Sequence, residues 1–190
     1  MFKKMFEVKK KLIIFLIIFA SLNFKAYSDE KLIESLKHGE KVIFIRHALA
    51  PGSGDPTNFE LRNCSTQRNL NEEGVKQSKK IGLFFKRNQI PIDKVLSSQW
   101  CRCKDTAKFA FKNFETFDAL NSFYSQKFQK NKSKQMKNLK KYLKKWESKK
   151  NLILVTHYVV ILETLNKAAS SGEILITDKN FNFIGSISKY

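Results

Sequence analysis

Apolar positions fall into two patterns along this chain. Short unbroken runs rich in β-branched residues, Val42–Ile45 (VIFI) and Leu152–Val155 (LILV), predict strands buried on both faces. Shorter strands are expected at Lys94–Ser97, Ile174–Thr177 and Phe183–Ile187. Helical patterns fill the intervals: Asp29–Lys37 closed by Gly39, a segment capped by Asn71 that runs to about Lys86, Arg102 to about Asn113, Ser133–Glu147, and Val159–Ala169. Pro51–Ser65, with Gly52, Gly54 and Pro56, reads as a loop, and Phe114–Lys130 as irregular. Buried strands alternating with amphipathic helices predict an α/β fold with a mostly parallel central sheet. No repeat or linker divides residues 29–190, which read as a single domain.

The first 28 residues stand apart. Lys3, Lys4, Lys9, Lys10 and Lys11 precede an apolar run from Leu12 to Leu22, and Ala26-Tyr27-Ser28 offers a small-x-small cleavage site. That order predicts a signal peptide and an exported, periplasmic protein. The apolar run is about half of the roughly 20 residues a spanning helix needs. The rival is an uncleaved N-terminal anchor.

Composition sharpens this picture. The 190 residues hold 36 Lys plus Arg against 17 Asp plus Glu, a net charge of +19, which falls to +14 without residues 1–28. With 42 % hydrophobic residues and 17 Phe, the chain is not disordered. Eleven Lys and one Glu crowd into Lys127–Lys150, a charge run that suits a polyanion or an anionic membrane surface. Yet Met136, Leu139, Leu143 and Trp146 recur there at helical spacing, which predicts a core-facing stripe and a solvated Lys face. With a signal peptide ahead, no nucleic-acid partner is expected.

The strand ends carry the candidate chemistry. In open α/β sheets ligands gather beyond the carboxyl ends of strands. The first strand ends in Arg46-His47, the second in Ser97-Ser98 with Arg102 following, and the third in Thr156-His157. Two of the three His and two Arg are thus delivered to one edge, with Asp105 the one carboxylate close by in sequence. Such a cationic cluster suits a phosphate, whose oxygens match the guanidinium fork. Taken singly, each residue has an ordinary structural explanation. The third histidine, His38, is expected only to complement a helix end.

IFIRHALAPG, LNEEGVKQSKKIG, VLSSQWCRCKDTA and LILVTHYVVI together resemble the four successive blocks of the histidine phosphatase superfamily, from about Lys41 to Leu162. The resemblance implies a three-layer, phosphoglycerate-mutase-like fold. It also implies a phosphatase that works through a phosphohistidine on His47 without metal or cofactor. Arg46, Arg102 and His157 match its remaining phosphate-pocket positions, and Arg68 resembles an Arg of the short phosphohistidine-phosphatase branch.

Three departures stand out. Ala48 replaces the usual Gly after Arg-His. Ser122 stands where the mutase branch has its acid Glu, and Tyr158 where the acid-phosphatase branch has Asp. The proton donor is therefore open. Asp55, in the Gly-rich loop, is the first candidate and Glu163 the second; Asp55 could equally just make a turn.

In an exported chain a disulfide is expected between Cys64 and either Cys101 or Cys103, rather than a Cys/His metal site. The expected function is hydrolysis of small phosphate monoesters, with phosphosugars of the envelope as one substrate type. The rivals are a catalytically silent phosphate-binding member and a surface-binding module built on the Lys-rich helix.

Overall fold

The computed structural model describes residues 30–190, and the expected signal peptide lies outside them. Residues 30–37 are helical (α1), and Leu36–Tyr190 forms one compact unit. Its strands are β1 (Val42–Arg46), β2 (Ile92–Ser97), β3 (Glu115–Thr116), β4 (Asn151–Thr156), β5 (Ile174–Thr177) and β6 (Phe183–Ile187). They form one sheet in the order β3-β2-β4-β1-β5-β6. Pairings β2·β3, β2·β4 and β1·β4 are parallel, while β1·β5 and β5·β6 are antiparallel. The sheet is therefore parallel through its centre and antiparallel at the β6 edge.

Helices α2 (Glu72–Arg87), α3 (Cys101–Phe111), α4 (Gln126–Gln129), α5 (Lys132–Lys145) and α6 (Tyr158–Leu165) complete the layers. Residues alternate between the two faces of each strand. Val42, Phe44, Leu152 and Leu154 pack with Leu139 and Leu143 of α5 and Ile161 of α6. The alternate residues Ile43, Ile45, Ile153 and Val155 are equally buried on the opposite face. There α2 contributes Ile81, Phe84 and Phe85, and α3 contributes Ala107.

Local chemistry accounts for the element ends. The Asn71 side chain accepts from the Gly74 amide at 2.9 Å, and Glu72 and Glu73 occupy the positive end of α2. A Cβ on Gly74 would collide with the Leu49 carbonyl, so glycine lets α2 start directly against the chain that follows β1. Helix α6 is shorter than its apolar pattern suggests. Asn166 adopts a left-handed conformation (φ 51°) and closes it well before Ala169. Phe114–Lys130 contains the two-residue β3, a 3-10 turn at Asp118–Leu120 and the short α4. On α5 the stripe of Met136, Leu139 and Leu143 meets the core, while Lys134, Lys137, Lys140, Lys141 and Lys144 lie on its outer side. Among the described residues no helix is long and apolar enough to cross a membrane.

Candidate active site

The parallel register aligns the carboxyl ends of three neighbouring strands. Arg46 pairs with Thr156, and Ser97 with Val155, so His47, Ser98 and His157 emerge side by side. The His47 and His157 rings lie 5.5 Å apart, both almost fully buried.

Each ring is fixed in one tautomer by its neighbours. His47 Nδ1 lies 2.8 Å from the Ala48 carbonyl, an acceptor only, so Nδ1 carries the proton and Nε2 keeps its lone pair. Arg102 Nη2, a donor only, approaches His157 Nδ1 at 3.4 Å. His157 therefore holds its proton on Nε2 and donates it to Ser98 Oγ at 2.8 Å. Ser98 in turn donates to Asn121 Oδ1 at 3.2 Å. Burial first, and the Arg102 charge second, hold both imidazoles well below the ordinary histidine pKa, so both are neutral at pH 7.

Three guanidinium groups surround the rings. Arg46 Nη1 donates to the Ala169 carbonyl at 2.7 Å, and its guanidinium sits 5.5 Å from the centre of the Tyr158 ring. Arg68 Nε donates to Gly54 O at 2.8 Å, and its Nη1 to Ala50 O. Arg102, only 3 % exposed, is held from below by the first turn of α3. There Thr106 accepts from the Ala48 amide at 3.0 Å and donates to Arg102 O at 2.7 Å, tying the loop after His47 to the helix. The Nε atoms of Arg46 and Arg102 are buried without a hydrogen-bond partner.

Asp55 meets this cluster in an unexpected role. Arg102 grips both of its oxygens, Nη1 to Oδ1 at 2.7 Å and Nη2 to Oδ2 at 3.2 Å. The Arg68 amide and the Trp100 indole also donate to it, at 3.1 and 3.0 Å. Burial alone would raise the Asp55 pKa, but these donors and the Arg102 charge outweigh it and leave the carboxyl below its ordinary value. The arrangement works against the proton-donor role expected of Asp55; it is the counter-ion of Arg102. Glu163 pairs with Lys132 at 2.7 Å on the surface and does not line the cavity. Asp105 is likewise outside it.

The cluster forms the floor of a cavity of about 330 Å³. Arg46, His47, Asp55, Arg68, Arg102 and His157 all line it, and Asp55 is its sole carboxylate among the described residues. Cys64 is bonded to Cys101, which pins the loop carrying Asp55 to the start of α3 beside Arg102. Cys103 remains a buried thiol whose pKa is pushed up to about 12, too high for reactivity at neutral pH. No group of three or more His, Cys, Asp or Glu able to hold a metal occurs among the described residues.

The model of the histidine phosphatase superfamily (branch 1) matches residues 42–153. The chain belongs to this superfamily. No curated protein matches it closely enough to be counted. Solved structures share the histidine phosphatase fold at low identity. The protein histidine phosphatase SixA complexed with tungstate is 15 % identical with a TM-score of 0.55, over 78 % of this chain and 96 % of that one. The phosphoglycerate mutase from Thermus thermophilus is 13 % identical at 0.55, over 79 % and 99 %. A putative phosphohistidine phosphatase SixA from Agrobacterium tumefaciens is 18 % identical at 0.52, over 79 % and 99 %.

Some of the site was not singled out in the sequence. The aromatic wall of Phe59, Trp100, Tyr124 and Phe128 is one such feature, and the Ser98–Asn121 support of His157 is another. Trp100 sits two residues before Arg102, which is a usable signal. Phe59, Tyr124 and Phe128 lie in the irregular segments Pro51–Ser65 and Phe114–Lys130, where specificity residues are expected but no periodicity picks out single positions.

Proposed function

We propose that the protein is an exported, metal-independent phosphatase that transfers the phosphoryl group of a small phosphate monoester to His47 Nε2 and then to water. The observation that carries this reading is the His47 ring itself. It is neutral, its Nδ1 proton is anchored on Ala48 O, and its free Nε2 lies in a cavity with three guanidinium groups. Charge on the transferring oxygens needs preorganised cations, and Arg46, Arg68 and Arg102 supply them. The unpartnered Nε atoms of Arg46 and Arg102 are donors of the kind an oxyanion satisfies. The fold neighbour SixA was solved with tungstate, an oxyanion.

Export is supported by the N-terminal pattern and by the Cys64–Cys101 bond, which suits an oxidising compartment. A small phosphorylated molecule is the proposed partner, with no nucleic acid. The Lys-rich outer side of α5 would allow weak contact with an anionic membrane surface.

One observation favours the silent phosphate-binding reading: Asp55, the cavity's carboxylate among the described residues, is engaged as the counter-ion of Arg102 and not placed as a proton donor. Incubation with a labelled phosphate donor at neutral pH separates the two. The enzyme traps an acid-labile, base-stable phosphoryl group that is absent from His47→Ala. A wild-type protein that stays unlabelled overturns the catalytic reading.

A further inference from the structure

Neither the carboxylate nor the second histidine of the cavity is placed to protonate the leaving group. Asp55, the one carboxylate of the cavity among the described residues, is ionised and holds four hydrogen bonds. His157 has its Nε2 proton committed to Ser98 and its Nδ1 turned to Arg102. General acid catalysis typically contributes about 10²–10⁴-fold, and an ester that departs as an alkoxide needs it. An ester that departs as a phenolate needs it far less, since a phenol such as that of tyrosine has a pKa of about 10 and its anion leaves more readily than an alkoxide.

The wall beside the histidines fits the same kind of ester. Trp100 stands edge-on to His157 at 5.5 Å between ring centres. It stacks on Phe59 at 5.1 Å and meets Phe128 edge-on at 5.4 Å; Phe59 and Phe128 lie 5.6 Å apart. Trp100 is buried and its indole is oriented by Asp55, whereas Phe59 and Phe128 are only half-buried and line the cavity. Tyr124, 59 % exposed, continues the wall outward. Apolar and aromatic rings thus run from the reacting histidines to the mouth, where a leaving group would project. A ring–ring contact of this kind strengthens binding by about two- to tenfold beyond area burial.

We propose that the substrate class is the phosphate monoester of an aromatic hydroxyl, with Phe59 and Phe128 as specificity-determining residues. This rests on His47 as nucleophile. The Nε2 lone pair forms the P–N bond as the P–O bond to the ring breaks, and that electron pair leaves on the aryl oxygen as a phenolate. Phosphorylated His47 keeps its Nδ1 proton and is a cation, which Ala48 O stabilises. Water then forms a P–O bond, the P–N pair returns to Nε2, and dihydrogen phosphate departs. Neither step draws a proton from Asp55.

The test uses the mature chain with phenyl phosphate, glycerol 2-phosphate and acetyl phosphate. Acetyl phosphate carries a leaving group that needs neither a proton nor a ring. We expect kcat/KM for phenyl phosphate to exceed that for glycerol 2-phosphate by about 10²–10⁴-fold, the range an absent acid implies. Phe59→Ala/Phe128→Ala should raise KM for phenyl phosphate by about tenfold, in line with the ring-contact energy, and lower the phenyl-to-acetyl preference. Phe128→Leu, which keeps apolar volume, should show the same direction if the double variant does not fold. Phenyl and glycerol esters turned over within a factor of about ten, or variants that leave the phenyl-to-acetyl ratio unchanged, overturn the inference, while labelling of His47 by acetyl phosphate preserves the nucleophile. No labelling of His47 by acetyl phosphate overturns both.

Discussion

Arg102 and Asp55 form a two-pronged ion pair, 2.7 and 3.2 Å, in a cavity that three guanidinium groups line. The pair lies 47 residues apart in sequence and is held together by the disulfide of Cys101, the residue next to Arg102. A carboxylate so placed orients the guanidinium, the Trp100 indole and the Arg68 backbone at once.

Asp55→Asn keeps the size of the side chain and removes its charge. If Asp55 positions Arg102, kcat/KM should fall by a similar factor for phenyl phosphate and glycerol 2-phosphate. Loss of a hydrogen bond to a charged group costs about 1.5–3 kcal/mol. A fall much steeper for the glycerol ester would restore the proton-donor role, because only the poor leaving group depends on an acid.

Arg102→Ala should weaken oxyanion binding severely. Truncating one partner of a buried, hydrogen-bonded charge pair costs about 2–5 kcal/mol. Titration calorimetry with tungstate or phosphate reads this directly. Affinity close to that of wild type would exclude Arg102 from the phosphate pocket.

Most of the fold was legible because the buried strands and amphipathic helices are strongly periodic. The VIFI and LILV runs sit at the sheet centre as β1 and β4, and Asn71 caps α2 through its own side chain. The direction of β5 and β6 was not legible, since an apolar run carries no sign of whether its neighbour runs parallel. The end of α6 was missed because Asn166 stops the helix by backbone conformation while the pattern around it stays helix-like. At the site, strand-end logic located His47, Arg102 and His157. The state of Asp55 could not be read, because its pKa depends on partners 13 to 47 residues away.

Removing the Cys64–Cys101 bond should cost stability. The bond closes a loop of separation 37, for which chain entropy predicts about 4 kcal/mol, and native disulfides commonly contribute about 2–5. Urea unfolding of Cys64→Ser against wild type measures it, with Cys101→Ser as a second route. Because the bond also anchors the loop that bears Asp55, the variant should lose oxyanion affinity before it loses its secondary structure. Unchanged affinity in the folded variant would show that the Asp55 hydrogen bonds and the Phe59–Trp100–Phe128 contacts hold the loop without the disulfide.

Stability should fall as pH drops below about 6.5, the ordinary histidine value. His47 and His157 are both buried with folded-state pKa values well below it, held there by burial and then by Arg102. Between the folded and unfolded values the unfolded chain binds a proton at each site and the native one does not. Stability therefore rises with pH across that window, by about 1.4 kcal/mol per pH unit for each histidine, and is fully present above it. Asp55 acts in the same direction lower down: its folded pKa is depressed, so its contribution is lost only as pH falls through that value. The same neutral His47 predicts that kcat/KM holds its level through about pH 6.5 and declines only at more acid pH. Urea midpoints and kcat/KM measured from about pH 5 to 8 check both limbs. An activity decline centred at about pH 6.5 that persists after correction for the phosphate ester's own second ionisation, at about pH 6, would mean that His47 titrates as an exposed histidine, and the geometry that keeps its Nε2 lone pair free would not hold in solution.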